Sequence, residues 1–257
     1  MRPDEIREGS LKAVETIAYS WAAMLGNEFT TLEEVAGKLK AEGIGSLLDY
    51  YTRGEKIIVV SVHTGPLDAM AGIVPIYKLR VYVPNELVKP EWLFKLMERL
   101  RLRFEGIIFD PVAKGKTLLR AARHLDDGRI VILLIDMPKE AGSGVLCRIG
   151  NGQAWFPVGP VNLALKQGAK IFPVFPSWTL DQKFRIVVGQ PFELTRTGNL
   201  VQDIEDNTRY LVEKIFAPHI RKYWRQWLRL PFIRLEPVKK SPISQKPHQV
   251  EQALIRK

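Results

Sequence analysis

At 257 residues the chain is long enough to bury a full hydrophobic core, and its length allows one large domain or two small ones. Hydrophobic residues at 46%, charged residues at 26% and a mean hydropathy of −0.08 describe a globular chain with no run long enough to read as a membrane span. Cys147, the single cysteine, excludes an internal disulfide and a cysteine-based zinc site. The net charge of +10 is concentrated at one end, where residues 221–257 hold ten Lys and Arg against two Glu, a net +8 that leaves +2 for the first 220. The opening MRPDEIREGS lacks the apolar core of a secretory leader, so none is expected.

Residues 4–25 read as an amphipathic helix, with Ile6, Leu11, Val14, Ile17, Ala18, Trp21 and Leu25 spaced for one face. Thr31 with Glu34 forms a capping-box pattern for a second helix, and Leu47–Tyr51 suggests a third. Residues 1–54 thus form a predicted helical apron over a sheet. From Lys56 the pattern alternates. Strand Ile57–Val62 precedes helix Pro66–Tyr77, strand Leu79–Val83 precedes helix Pro90–Arg103, and strand Gly106–Phe109 precedes helix Lys116–Leu125. Strand Ile130–Ile135 ends at Asp136, and the glycine-bearing stretch Met137–Trp155 reads as irregular. Helix Pro160–Gln167, strand Lys170–Val174 and strand Phe184–Val188 follow, the last as part of a hairpin. A long helix runs from about Val201 past Trp227. The alternation defines an α/β class: a mostly parallel central sheet with helices on both faces. Residues 1–235 are expected to form one domain, 55–235 being its α/β core and C-terminal helix. Residues 236–257 form a basic tail with Pro237, Pro242 and Pro247, expected to be mobile.

The chemistry is expected around KIIVVSVHTGPLD, residues 56–68. The apolar run is broken only by Ser61 and reads as a strand buried on both faces. His63 falls where the run stops, Thr64-Gly65 turns the chain, Pro66 suits a helix start, and Asp68 lies in the first turn. In open α/β sheets, ligands bind in the crevice outside the carboxyl ends of the strands. An aspartate holding one imidazole nitrogen would fix the tautomer and leave the other nitrogen free to take a proton from a hydroxyl. No G-x-S-x-G elbow exists and Cys147 is remote in sequence, so a covalent acyl-enzyme has no evident nucleophile. Neither G-x-G-x-x-G nor a Walker sequence is found, and no metal-ligand or cofactor pattern is present. The basic end, interleaved with Tyr223, Trp224, Trp227 and Phe232, suits an anionic membrane surface. Nucleic acid would use the same ingredients, so the patch alone does not decide.

VVSVHTGPLDAM resembles the H-x4-D/E block of membrane-lipid acyltransferases, and is closest to that of the bacterial lipid A late acyltransferases (lauroyl/myristoyl) and related mannoside acyltransferases. GRIVILLIDMP, FPVGPVNLALKQGAKIFPVF, FRIVVGQPFEL and the KYWRQW segment at 222–227 are similar to later blocks of that family, in order, over roughly residues 5–230. The resemblance implies transfer of a fatty acyl group from an acyl-carrier-protein or coenzyme A thioester to a glycolipid or lysolipid hydroxyl. It implies His63 as general base and Asp68 as its partner, with Thr64, Gly65, Asp136 and Gly159 in the substrate cleft. Where the family usually shows an arginine, Asn85 stands here, with Arg80 and Lys89 as nearby substitutes. Leu67, Met70, Ile73, Phe94 and Met97 are candidates for an acyl groove, and backbone N–H groups around Thr64–Leu67 for an oxyanion site. The family's usual N-terminal anchor has no counterpart, which leaves peripheral attachment at the cytoplasmic face of the membrane to the first helix and the basic C-terminus. A catalytically inactive lipid-binding protein on the same fold, and a nucleic-acid-binding module resting on the tail alone, are the alternatives.

Overall fold

The computed structural model describes residues 3–26, 31–85, 89–101, 105–111, 116–137, 140–179, 181, 183–230, 233 and 235–237, with backbone alone at 3–6, 68–70 and 101. The side chains of Asp68 and Met70, and the tail from residue 238 on, therefore lie outside the described residues.

The chain opens with α1 (Pro3–Gly26) and α2 (Leu32–Lys38). Thr31 caps α2 as its sequence predicts: its hydroxyl accepts the Glu34 N–H while the Glu34 carboxylate accepts the Thr31 N–H. Next comes a strand the sequence reading missed, β1 (Leu39–Glu42). With Lys40 and Glu42 it is too short and too charged to stand out, and it pairs in parallel along the edge residues Phe184–Val187. After α3 (Ile44–Thr52) comes β2 (Ile57–Ser61), all five residues buried. Ser61 is tolerated there because its hydroxyl donates to the Val174 carbonyl at 2.8 Å.

The single helix expected over Pro66–Tyr77 is instead a 3₁₀ segment, Leu67–Gly72, and a short α4 (Ile73–Ile76). Pro75 has no N–H to carry the α-helical ladder back into the preceding turn. Strand β3 (Val81–Asn85), α5 (Glu91–Arg101), β4 (Ile107–Pro111), α6 (Thr117–Asp126) and β5 (Ile130–Leu134) follow the predicted alternation. Within the stretch read as irregular, β6 (Val145–Ile149) and β7 (Gly152–Phe156) form an antiparallel hairpin. Its buried positions alternate and the two residues Gly150-Asn151 form its turn, between the paired Ile149 and Gly152, a hairpin signal masked by the surrounding glycines. Then come α7 (Gly159–Gln167), β8 (Lys170–Trp178) and β9 (Phe184–Val188), the last two in the expected hairpin. The long C-terminal helix comprises α8 (Leu200–Tyr210), a π-helical stretch Leu211–Phe216 and α9 (Ala217–Lys222). It ends at Lys222 rather than beyond Trp227. Residues Trp224–Gln226 form a 3₁₀ turn, and β10 (Glu236–Pro237) pairs with β7.

The main sheet has the order β1-β9-β8-β2-β5-β3-β4, parallel throughout except for the β8–β9 pair. Alternate residues of β2 serve opposite faces. Ile58 and Val60 pack in one core with α6, α7 and the C-terminal helix; Ile57 and Val59 pack in the other with Leu47, Ile73 and Val74. The chain leaves β2 on the second face, through α4, and leaves β5 towards the first, through α7. Neighbouring strands whose connections depart to opposite faces leave a crevice between their carboxyl ends.

Helix α1 departs most from its predicted packing. The residues it buries include Gly9, Ala13 and Met24, while Leu11, Val14, Trp21 and Leu25 are 58%, 58%, 37% and 45% exposed. A Cβ on Gly9 would fall inside the Trp224 ring, so a small residue there lets the helix dock on the chain's C-terminal segment. The apolar stripe consequently faces outward instead of covering the sheet.

Candidate active site

The β2–β5 register sets Ser61 beside Leu134. Two residues further along each strand, His63 and Asp136 meet across the crevice. The Asp136 carboxylate receives three hydrogen bonds: from His63 Nδ1 to Oδ1 at 2.7 Å, and to Oδ2 from the His63 backbone N–H and Trp227 Nε1, each at 2.8 Å. Burial would raise this fully enclosed carboxyl, but its electrostatic interaction with His63 and the three donors outweigh it and hold it below the usual carboxylate range. An ionised acceptor on Nδ1 requires that nitrogen to carry the proton, leaving Nε2 as a lone-pair base. The His63 side chain is 17% exposed, whereas Asp136 is completely buried. One nitrogen is anchored, and part of the imidazole stays exposed.

The C-terminal segment lies across this centre as a strap. Leu228 N–H donates to the His63 carbonyl at 2.8 Å, Gly65 N–H donates to the Gln226 carbonyl at 3.0 Å, and the Gln226 side chain exchanges two hydrogen bonds with the Trp178 backbone. Helix α1 covers the strap in turn, through Thr16 to the Arg225 carbonyl and Ser20 to the Gly65 carbonyl. Gly65 has φ +55°, and a Cβ there would come within 2.7 Å of Ser177 Cα, so this close approach to β8 demands glycine. Thr64 is buried and donates its hydroxyl to the Pro176 carbonyl at 2.8 Å.

Thr64 and Gly65 thus act as scaffold under the dyad. The N–H groups of Thr64, Gly65 and Leu67 are committed to the carbonyls of Val62, Gln226 and Gly65, and Pro66 has none. This overturns the expectation that these amides are free for an oxyanion. Asn85 ends β3, separated from β2 by β5. Arg80 is at the amino end of the sheet, bonded to the Asp127 carbonyl, and so is too remote to substitute for a headgroup arginine. Gly159 opens α7 against Leu118 of α6. Of the proposed acyl-groove residues, Ile73 and Met97 are buried core; Leu67 and Phe94 are half-buried. Cys147 is buried in β6, its thiol pushed up to about 12 by burial and the neighbouring Glu213, and so stays an inert neutral group. A separate cleft of about 610 Å³ lies between α1 and the β8–β9 hairpin, lined by Tyr19, Val35, Trp178 and Phe184 among others. His63 and Asp136 do not line it.

Sequence reasoning singled out the imidazole and placed Asp136 in a substrate cleft, not as the hydrogen-bond partner of His63. It missed Trp227 as a donor, for which a buried aromatic in a basic segment gave no distinguishing signal. A mostly parallel α/β sheet with a His–Asp pair at its switch point defines a class of binding and catalytic sites. Within that class, the model of the bacterial lipid A biosynthesis acyltransferases matches residues 8–231, and the chain belongs to this family. No curated protein matches the chain.

Proposed function

We propose that this protein transfers a fatty acyl group from an acyl-carrier-protein or coenzyme A thioester to a hydroxyl of a membrane glycolipid or lysophospholipid, with His63 as general base. The observation that carries the reading is the Nδ1–Asp136 hydrogen bond at 2.7 Å beneath a partly exposed imidazole, in a chain of an acyltransferase family. Nε2 takes the proton of the acceptor hydroxyl as its oxygen attacks the thioester carbonyl. The tetrahedral intermediate collapses by breaking the C–S bond, and the imidazolium returns the proton to the departing thiolate. Asp136 orients the ring and stabilises its protonated form. His63→Gln should lower transfer by at least about 10³ while leaving the circular dichroism spectrum intact; undiminished transfer would overturn the assignment.

Attachment to an anionic bilayer at the cytoplasmic face is part of the same reading. Among the described residues no helix is long and apolar enough to cross a membrane. The exposed stripe Leu11, Val14, Trp21 and Leu25 is suited to lie in an interface, and the basic residues of the C-terminal segment to contact anionic headgroups. Trp21→Glu should reduce co-flotation with phosphatidylglycerol-containing vesicles several-fold. Equal flotation would remove α1 from the interface.

A further inference from the structure

Five arginines in the described structure have a carboxylate within ion-pair distance: Arg53 with Glu55, Arg120 with Asp110, Arg185 with Glu42, Arg209 with Glu205 and Arg225 with Glu8. Arg229 has none among the described residues. It follows Leu228, whose N–H holds the His63 carbonyl, and its Nη2 rests against the sulfur of Met137, the residue after Asp136. The guanidinium therefore touches the residue that follows Asp136, and its backbone follows the residue that holds the His63 carbonyl. It is half-buried, and its Nε is fully enclosed without a hydrogen-bond partner. A thioether is a weak acceptor, and a cation withdrawn from water without an anion is unfavourable. The arrangement calls for an anionic ligand.

We propose that Arg229 binds a phosphate ester carried by one of the two substrates. A permanently charged side chain in a ground-state site matches a permanent anion better than a transient one, and the planar guanidinium fork matches phosphate geometry. Phosphate is also the anion shared by the two possible sources, the phosphopantetheine arm of an acyl thioester and the headgroup of an anionic lipid. Naming the ligand rests on the acyl-transfer reading; the presence of an anion site does not.

The test is calorimetric titration of the full-length protein with inorganic phosphate, then displacement by glycerol 1-phosphate or 4′-phosphopantetheine. Saturable phosphate binding is expected, weakened several-fold in Arg229→Lys and more than tenfold in Arg229→Gln. Displacement by the glycerol phosphate alone places the lipid acceptor at Arg229, and by phosphopantetheine alone the donor. No saturable binding, unchanged binding in Arg229→Gln, or displacement by neither compound overturns the proposal. In steady-state kinetics Arg229→Gln should raise the KM of the phosphate-bearing substrate at least tenfold, with a smaller change in kcat. A fall in kcat at unchanged KM would also overturn it, by making the contact one to the transition-state oxyanion. Retained transfer by His63→Gln would sink the acyl-transfer reading while leaving phosphate binding standing. Loss of transfer in that variant, with no phosphate binding by the unmodified protein, would sink only the anion site.

Discussion

Two imidazoles flank Thr64 and have opposite surroundings. His63 rests on a buried carboxylate and keeps an exposed edge. His219 sits between Phe175 and Tyr223, with ring centroids 4.9 and 4.7 Å away, and its Nε2 is 3.2 Å from the Thr64 hydroxyl. Because that hydroxyl donates its proton to Pro176, Nε2 of His219 must be the donor. Burial pushes His219 down to about 4; the Pro176 carbonyl opposes this, and Lys222 and Arg185 add to it. A counter-charge and an opening suit one ring to the proposed role of base. Enclosure without a counter-charge makes the other a neutral structural post.

The largest test of this contrast concerns the counter-charge. Asp136→Asn should lower transfer on the order of 10³-fold, because the amide no longer enforces the Nδ1–H tautomer, while Asp68→Asn should cost roughly tenfold or less. The reverse order in single-turnover rates would make Asp68 the partner. The next test is the response to acid. His219 has a folded pKa of about 4, below its unfolded value near 6.5, so its contribution is complete above 6.5 and is lost as pH falls towards 4. Between pH 8 and pH 5 this group alone should remove about 2 kcal/mol of stability in urea titrations, and His219→Asn should flatten that part of the slope. A slope unchanged in the variant would mean the ring is hydrated. Trp227→Phe should have the smallest effect: it keeps a smaller aromatic ring but removes one donor from Asp136, costing about 2 kcal/mol of stability and a few-fold in rate. Denaturation and kcat measured on the same preparation would separate those two losses.

The alternation of strands and helices was legible because β2, β5 and β8 are apolar runs bounded by turn residues, and His63 was legible as the residue where one run stops. The neighbour of β2 was not. Its pairing with β5 skips two intervening strands, so the contact between residues 63 and 136 is a property of strand order rather than of spacing. Asp68 stood out by closeness in sequence, whereas Asp136 is brought close by the sheet. Strand β1 escaped notice because an edge strand of four residues with two charges has no buried alternation to display. The packing face of α1 was read backwards for a different reason. Periodicity finds the apolar stripe, but close docking on Trp224 selects the small residues beside it.

The strap also sets an order of events during synthesis. Residue 136 emerges from the ribosome ninety-one residues before the indole that completes its shell, and the carbonyl of residue 63 waits longer still for the amide of residue 228. A nascent chain can assemble most of its sheet and still lack a finished centre. The centre is therefore completed late in translation, when the body that carries it is largely in place.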